Sequence, residues 1–220
     1  MPRLLFEKTG NAIWISHLDT MRLFQRAFKR AGLPLTHSRG FNPRPSVSIA
    51  LPLSVGVESR CELLDFDLDG YDVSCEEMKD RLNAALVAGV KVLEVYEDAR
   101  KIKHLALLEC VVTLEYDRGV AWIAPDALNA LYHQESLFVE KKSKNNGIQD
   151  QDIIPMIRRL DVVETDGYTL ELRALVCCQN PTLNPMQLVA AIERHAPALM
   201  PDFAKCRRVE IYDTEENIFR

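Results

Sequence analysis

The succession of hydrophobic periods along the chain predicts an α+β fold with antiparallel sheets. Two observations carry that expectation. Short apolar or alternating runs read as strands interrupted by amphipathic helical stretches, and the rhythm of the first half returns in weaker form in the second. With 220 residues, 47% apolar and 27% charged, the composition is that of an ordinary globular protein, and the length suits two small cores.

Leu4 to Lys8 and Ala12 to Ile15 read as short extended segments around a turn at Thr9-Gly10-Asn11. Ser16 followed by Asp19 has the spacing of an N-cap with an acidic first turn, so a helix is expected from there until Gly32 and Pro34 stop it. Leu35 to His37 and Ser46 to Ala50 read as strands flanking the loop Ser38 to Pro45, and Cys61 to Leu68 alternates like a half-buried strand. Asp72 or Ser74 can cap a second helix through Ala85, and Val90 to Tyr96 is a further apolar strand. This order is the split βαβ pattern of a ferredoxin-like unit, assigned to residues 1–97.

A charged connection at 97–104 leads into the second half. There the pattern predicts a strand over 108–116, a helix over 125–133, a strand over 137–141 and a polar loop from Lys141 to Asp150. A helix over Ile153 to Leu160 and a strand over Tyr168 to Cys177 follow. Asn184 is placed to cap a helix to His195 ahead of Pro185 at its first position, and Arg207 to Tyr212 is the last strand. Residues 105–220 are thus assigned to a second ferredoxin-like unit, although no residue-level repeat relates it to the first.

The chain is acidic, with net charge −5, yet residues 1–60 hold nine Lys/Arg against three Asp/Glu and leave 18 against 29 for the rest. Such a local reversal points to an anionic partner for the basic part. On a helical wheel Met21, Phe24, Ala27, Phe28 and Ala31 share one arc, and Arg22, Arg26, Lys29 and Arg30 share another. Stacking Arg22, Arg26 and Arg30 at i, i+4, i+8 costs about 0.2–0.5 kcal/mol per like-charged pair, which an anion can offset. Two readings are open: phosphate contacts, or solvated ends whose stems cover apolar surface with Asp19 pairing Arg22.

Arg39 and Arg44 extend the basic stretch into the loop Ser38-Arg39-Gly40-Phe41-Asn42-Pro43-Arg44-Pro45, where Gly40, Asn42 and Pro43 shape the backbone. Guanidinium forks suit phosphate, and Phe41 either stacks on a base or pins the loop to the core. His17, Asp19 and His37 bracket the first helix and are candidates for acid/base chemistry or a divalent metal, with structural roles as the alternative.

Neither a signal-peptide core nor an apolar run of roughly 18 residues is present, so a cytoplasmic protein without membrane contact is expected. The six cysteines form no C-x-x-C and lack the close three-cysteine run of a [4Fe–4S] site. They read as free thiols, and of the adjacent Cys177 and Cys178 one should face inward. No cofactor or metal ion is expected.

The blocks S-H-L-D at Ser16 to Asp19, R-A-x-x-R-A-G-L-P at Arg26 to Pro34, S-x-G-F-N-P-x-P at Ser38 to Pro45 and A-L-P-L-S-V-G-V-E-S at Ala50 to Ser59 together resemble the bacterial radical SAM-associated (radical SAM-linked) protein family, a domain of unknown function. That resemblance implies an accessory protein working beside a radical SAM enzyme, which would carry the cluster this chain lacks. Two positions depart from the family pattern: Arg44 stands where the N-P-H-P form has His, and Arg39 stands where Gln is frequent. A looser likeness of pattern links the chain to CRISPR repeat-processing RNA endonucleases, which grip RNA on ferredoxin-like domains. The expected function is therefore an RNA-binding or substrate-presenting module for a radical SAM enzyme acting on tRNA or rRNA, with Arg22, Arg26, Arg30, Arg39 and Arg44 on phosphates. The alternatives are a hydrolytic or RNA-cleaving enzyme using His17, Asp19 and His37, and a protein adaptor that binds no nucleic acid.

Overall fold

The structure, a computed structural model, describes residues 2–70, 72–97, 99–143 and 147–220. Asp98 of the charged connection and residues 144–146 of the polar stretch lie outside the described residues. The chain divides into two compact units, one running to His104 and including Arg220, the other spanning Leu105–Phe219. Each unit combines α-helices with antiparallel strands.

The first unit contains β1 (Arg3–Lys8), α1 (His17–Arg30), β2 (Val47–Ile49), β3 (Glu58–Phe66), α2 (Cys75–Ala85) and β4 (Val90–Tyr96). Its strands lie in the order β4-β1-β3-β2, every neighbour antiparallel. Alternation along β1 sends Leu4 and Phe6 to one face, where with Leu64, Phe66 and Val92 they meet Phe24, Ala27 and Phe28 of α1 and Leu82 of α2. Phe6 meets Phe24 edge-on at 4.7 Å between centroids, and Phe28 lies 4.9 Å from Phe66. Such pairs add about 0.5–1.5 kcal/mol each beyond the area they bury.

Local chemistry sets both ends of α1. Ser16 Oγ accepts the Asp19 N–H at 3.2 Å and donates to the Asp19 carboxylate at 2.7 Å, satisfying a donor that the first turn leaves free. At the other end Gly32, at φ +67°, lets its own N–H reach the Lys29 carbonyl and that of Leu33 reach Phe28 at 2.9 Å, a Schellman stop. Ser74 rather than Asp72 caps α2, accepting from the Glu77 N–H at 3.2 Å. Asn83 then clamps α2 to β4 by donating to the Val92 carbonyl and accepting its N–H.

Two expected strands of this unit form otherwise. Residues Gly10–Trp14 make a 3-10 turn because their polar backbone is satisfied inward: the Thr9 N–H donates to Gly89 O, and the buried Lys8 amine donates to the carbonyls of Ile13 and Ile15. Leu35 to His37 makes only single bridges, Leu35 to Leu68 and His37 to Pro45, and no continuous strand.

The second unit contains β5 (Leu107–Glu115), α3 (Ala124–Tyr132), β6 (Phe138–Ser143), β7 (Gly147–Asp152), β8 (Ile157–Asp166), β9 (Thr169–Cys177), α4 (Met186–His195) and β10 (Phe203–Tyr212). Its sheet runs β10-β5-β9-β8, again antiparallel throughout, with β6 and β7 as a separate hairpin. The polar stretch read as a loop is largely this hairpin. It is fastened by Arg194 gripping both oxygens of Asp150, at 2.6 and 3.1 Å, and by His195 Nε2 against the Phe138 carbonyl at 2.8 Å. The helix expected over Ile153 to Leu160 is a short turn, Ile154–Met156, followed by β8, because Leu160 and Val162 pair with Ala174 and Leu172 of β9. Asn184 Oδ1 accepts the Met186 N–H at 3.1 Å, while Pro185, expected at the first helical position, stands at the N-cap of α4.

Both units therefore share one connectivity: strand, helix, two strands, helix, strand, with the last strand beside the first and the third between the first and second. The β6–β7 hairpin is an insertion between α3 and β8 in the second. All six cysteines are free thiols, with Cys178 buried and Cys177 partly exposed.

Candidate nucleic-acid interface

Helix α1 buries Phe24, Ala27 and Phe28 and turns its cations outward, as the wheel requires: Arg22, Arg26, Lys29 and Arg30 are all exposed. Arg22, Arg26 and Arg30 line one open groove of about 440 Å³, together with Asp19, Ile15, Leu23 and Val87. Val87, from the turn between α2 and β4, forms the facing wall. That turn is fixed by Gly89, where a Cβ would sit 2.5 Å from the Thr9 carbonyl oxygen and 2.9 Å from the Ala12 Cβ.

The three arginines differ in what holds them. Arg22 pairs with Asp19 at 2.9 Å across one helical turn, both side chains being more than half exposed, so the pair adds little stability. Hydrogen bonds from Ser16 and then Arg22 hold the Asp19 carboxyl below the usual carboxylate range. Arg30 donates to the Ala85 carbonyl at 2.5 Å. Arg26, between them, has no hydrogen bond or ion pair among the described residues, and its positive charge helps to hold the Asp19 carboxyl down.

On the other side of α1 a second groove of about 330 Å³ is lined by Gln25, Lys29, Leu33, Leu35, His37 and Pro45. It borders the base of the loop at 38–45. Ser38 closes that base, its N–H donating to the Arg44 carbonyl at 2.9 Å and its hydroxyl accepting the Arg44 N–H at 3.0 Å. Gly40 sits at φ +137°, and every residue from Arg39 to Arg44, including Asn42 and Pro43, is exposed. Phe41 is fully exposed, so it does not pin the loop to the core. Arg39 and Arg44 make no side-chain hydrogen bond or ion pair among the described residues. A closed stem thus presents a bare aromatic ring and two guanidinium groups to solvent.

His17, Asp19 and His37 are not brought together. His17 borders a cavity of about 10 Å³ beneath the start of α1, with Lys8, Thr20 and Glu62. Asp19 faces the arginine groove, and His37 faces the groove on the opposite side of the helix. Among the described residues no three His, Cys, Asp or Glu side chains are arranged to hold a metal ion.

Several residues that shape this region escaped the sequence reading. Lys8 and Glu62 are buried under α1 at 2% and 3% exposure. The signal for Lys8 was its place two residues after Phe6, on the inward parity of β1. Trp14 is 65% exposed beside the start of α1 and packs along Gly56, 3.4 Å from where a Cβ would stand. An aromatic ring next to a helix cap in a basic stretch was the available sign.

Residues 2–185 match a family described as an uncharacterized protein conserved in bacteria (DUF2344). The chain belongs to this family. The DUF2344 match takes in α1, both grooves and the loop, and ends one residue before α4. No curated protein matches the chain. Among solved structures, a chain in the crystal structure of a Cbf5-Nop10-Gar1 complex is similar over 96% of this chain and 48% of its own length, at 10% identity and a TM-score of 0.52. A chain of an H/ACA RNP bound to a substrate RNA containing 2'-deoxyuridine is similar over 94% of this chain and 46% of its own, at 11% identity and a TM-score of 0.47. The protein spans about half the length of the chains it resembles, and the first likeness is one of fold. Among the described residues no helix is long and apolar enough to cross a membrane.

Proposed function

We propose that this DUF2344 protein is a cytoplasmic, RNA-binding accessory built from two ferredoxin-like units, working with a radical SAM enzyme that acts on tRNA or rRNA. The observation that carries RNA binding is the convergence of Arg22, Arg26 and Arg30 on one open groove with a single carboxylate among them. Guanidinium groups in a row, one of them unpaired, suit a chain of phosphates. The loop adds Arg39, Arg44 and the bare ring of Phe41, a combination that fits a backbone with accessible bases.

The shared strand order of the two units supports the ferredoxin-like reading. The radical SAM partner is suggested by the S-H-L-D and S-x-G-F-N-P-x-P blocks, which occupy the same helix start and loop that border the grooves. The test is RNA affinity as a function of salt, for the wild type and for Arg22→Ala with Arg26→Ala. Affinity should fall steeply with salt, and the variant should bind more weakly with a shallower slope. Tight binding of the partner enzyme without RNA, left intact when RNA binding is absent, would instead favour a protein adaptor whose cationic helix docks an acidic surface.

A further inference from the structure

Phosphate contacts alone do not account for the make-up of the arginine groove. Its cations stand along a floor of Ile15 and Leu23, with Val87 opposite. Ile15 and Leu23 pack against the core of the first unit, so this floor is rigid, and Val87 is 43% exposed at the opposite wall. Successive arginines are separated by about 6 Å along the helix axis, close to the spacing of neighbouring phosphates on one strand. A duplex turns its phosphates outward and keeps its bases stacked away from the protein, leaving an apolar floor in water. A single strand can rotate a base onto that floor while its flanking phosphates remain on the arginines.

Building on the RNA-binding reading, we infer that the groove selects single-stranded RNA by taking one unpaired base against Ile15, Leu23 and Val87. Arg22 and Arg26 hold the flanking phosphates, and Arg30, fixed by the Ala85 carbonyl, closes the far end. The volume of about 440 Å³ falls within the range of small-ligand sites. The one carboxylate, Asp19, remains ionised and offers an acceptor to a sugar hydroxyl or an exocyclic amine.

The experiment compares a short fluorescein-labelled RNA single strand with the same strand annealed to its complement, on the full chain. Variants are Val87→Lys, Val87→Ser and Arg26→Ala. Lysine at position 87 adds a positive charge but displaces the base, so single-strand affinity should drop at least about fivefold while duplex affinity stays level or rises. Val87→Ser removes apolar surface without charge and should weaken the single strand alone. Equal or tighter single-strand binding by Val87→Lys would overturn the inference. With Arg26→Ala still weakening both forms, such a Val87→Lys result removes base insertion and leaves the RNA reading standing. An Arg26→Ala variant that binds both forms like wild type overturns both.

Discussion

Arg30 donates a hydrogen bond of 2.5 Å to the backbone carbonyl of Ala85, tying the last turn of α1 to the last turn of α2. A guanidinium over a carbonyl left free at a helix C-terminus is favoured by the helix dipole as well as by the bond. Arg30 is thereby positioned, while Arg26 is left to a ligand. Arg30→Ala should therefore lower both RNA affinity and stability, the latter by about 0.3–1 kcal/mol in urea unfolding. Arg26→Ala should lower affinity alone. Equal stability losses in the two variants would contradict this division.

Phe41 offers the reverse case. It is fully exposed on a loop closed by Ser38 and Arg44, so Phe41→Ala should leave the unfolding midpoint unchanged. Its loss should weaken single-stranded RNA by about 1–3 kcal/mol, the worth of one stacked base. Fluorescence anisotropy and urea titration on the same preparation check both halves.

Gly89 should not tolerate a side chain. Its φ is +86°, and a Cβ there would lie 2.5 Å from the Thr9 carbonyl oxygen. Gly89→Ala must push the 87–89 turn away from residues 9–12, at a cost of about 1–3 kcal/mol or more. Because Val87 is on the same turn, the groove should open as well, and RNA affinity should fall with stability. A variant as stable as wild type would show that the turn is not held as described.

Alkaline pH should destabilise the fold. Burial pushes the thiols of Cys178 and Cys206 up to about 12 and about 11, and the phenols of Tyr96, Tyr116 and Tyr212 each up to about 12. The folded values lie above the unfolded ones, so the neutral forms favour folding fully below the unfolded values, about 9 for the thiols and 10 for the phenols. That contribution is lost as pH rises through the folded values. The urea midpoint should hold steady near neutrality and fall above about pH 9; a level midpoint to pH 11 would argue against these burials.

What the sequence made legible was local. Ser16 and Asp19 announce the start of α1 because the cap bond spans three residues, and the i, i+4 spacing of Arg22, Arg26 and Arg30 puts them on one line whatever surrounds them. The β6–β7 hairpin was hidden because the contacts fastening it come from Arg194 and His195, far along the chain. Ile153, Met156 and Leu160 are all buried at helical spacing, yet pairing with β9 makes most of that stretch a strand. At the site, the arginines were visible and the wall opposite them was not, since Val87 lies 65 residues beyond Arg22 and reaches it through the Gly89–Thr9 contact. Nearness in sequence likewise suggested a joint role for His17, Asp19 and His37, but α1 turns His17 and Asp19 to different cavities and His37, beyond the helix, lines a third.

The central claim is that the α1 groove holds RNA phosphates, and the salt dependence of binding tests it most directly. Between about 50 and 200 mM salt the wild-type association constant should fall steeply on a log–log plot, and Arg22→Ala with Arg26→Ala should reduce the slope by roughly 1 to 2. A flat wild-type response, or a double variant with unchanged slope and affinity, would contradict it.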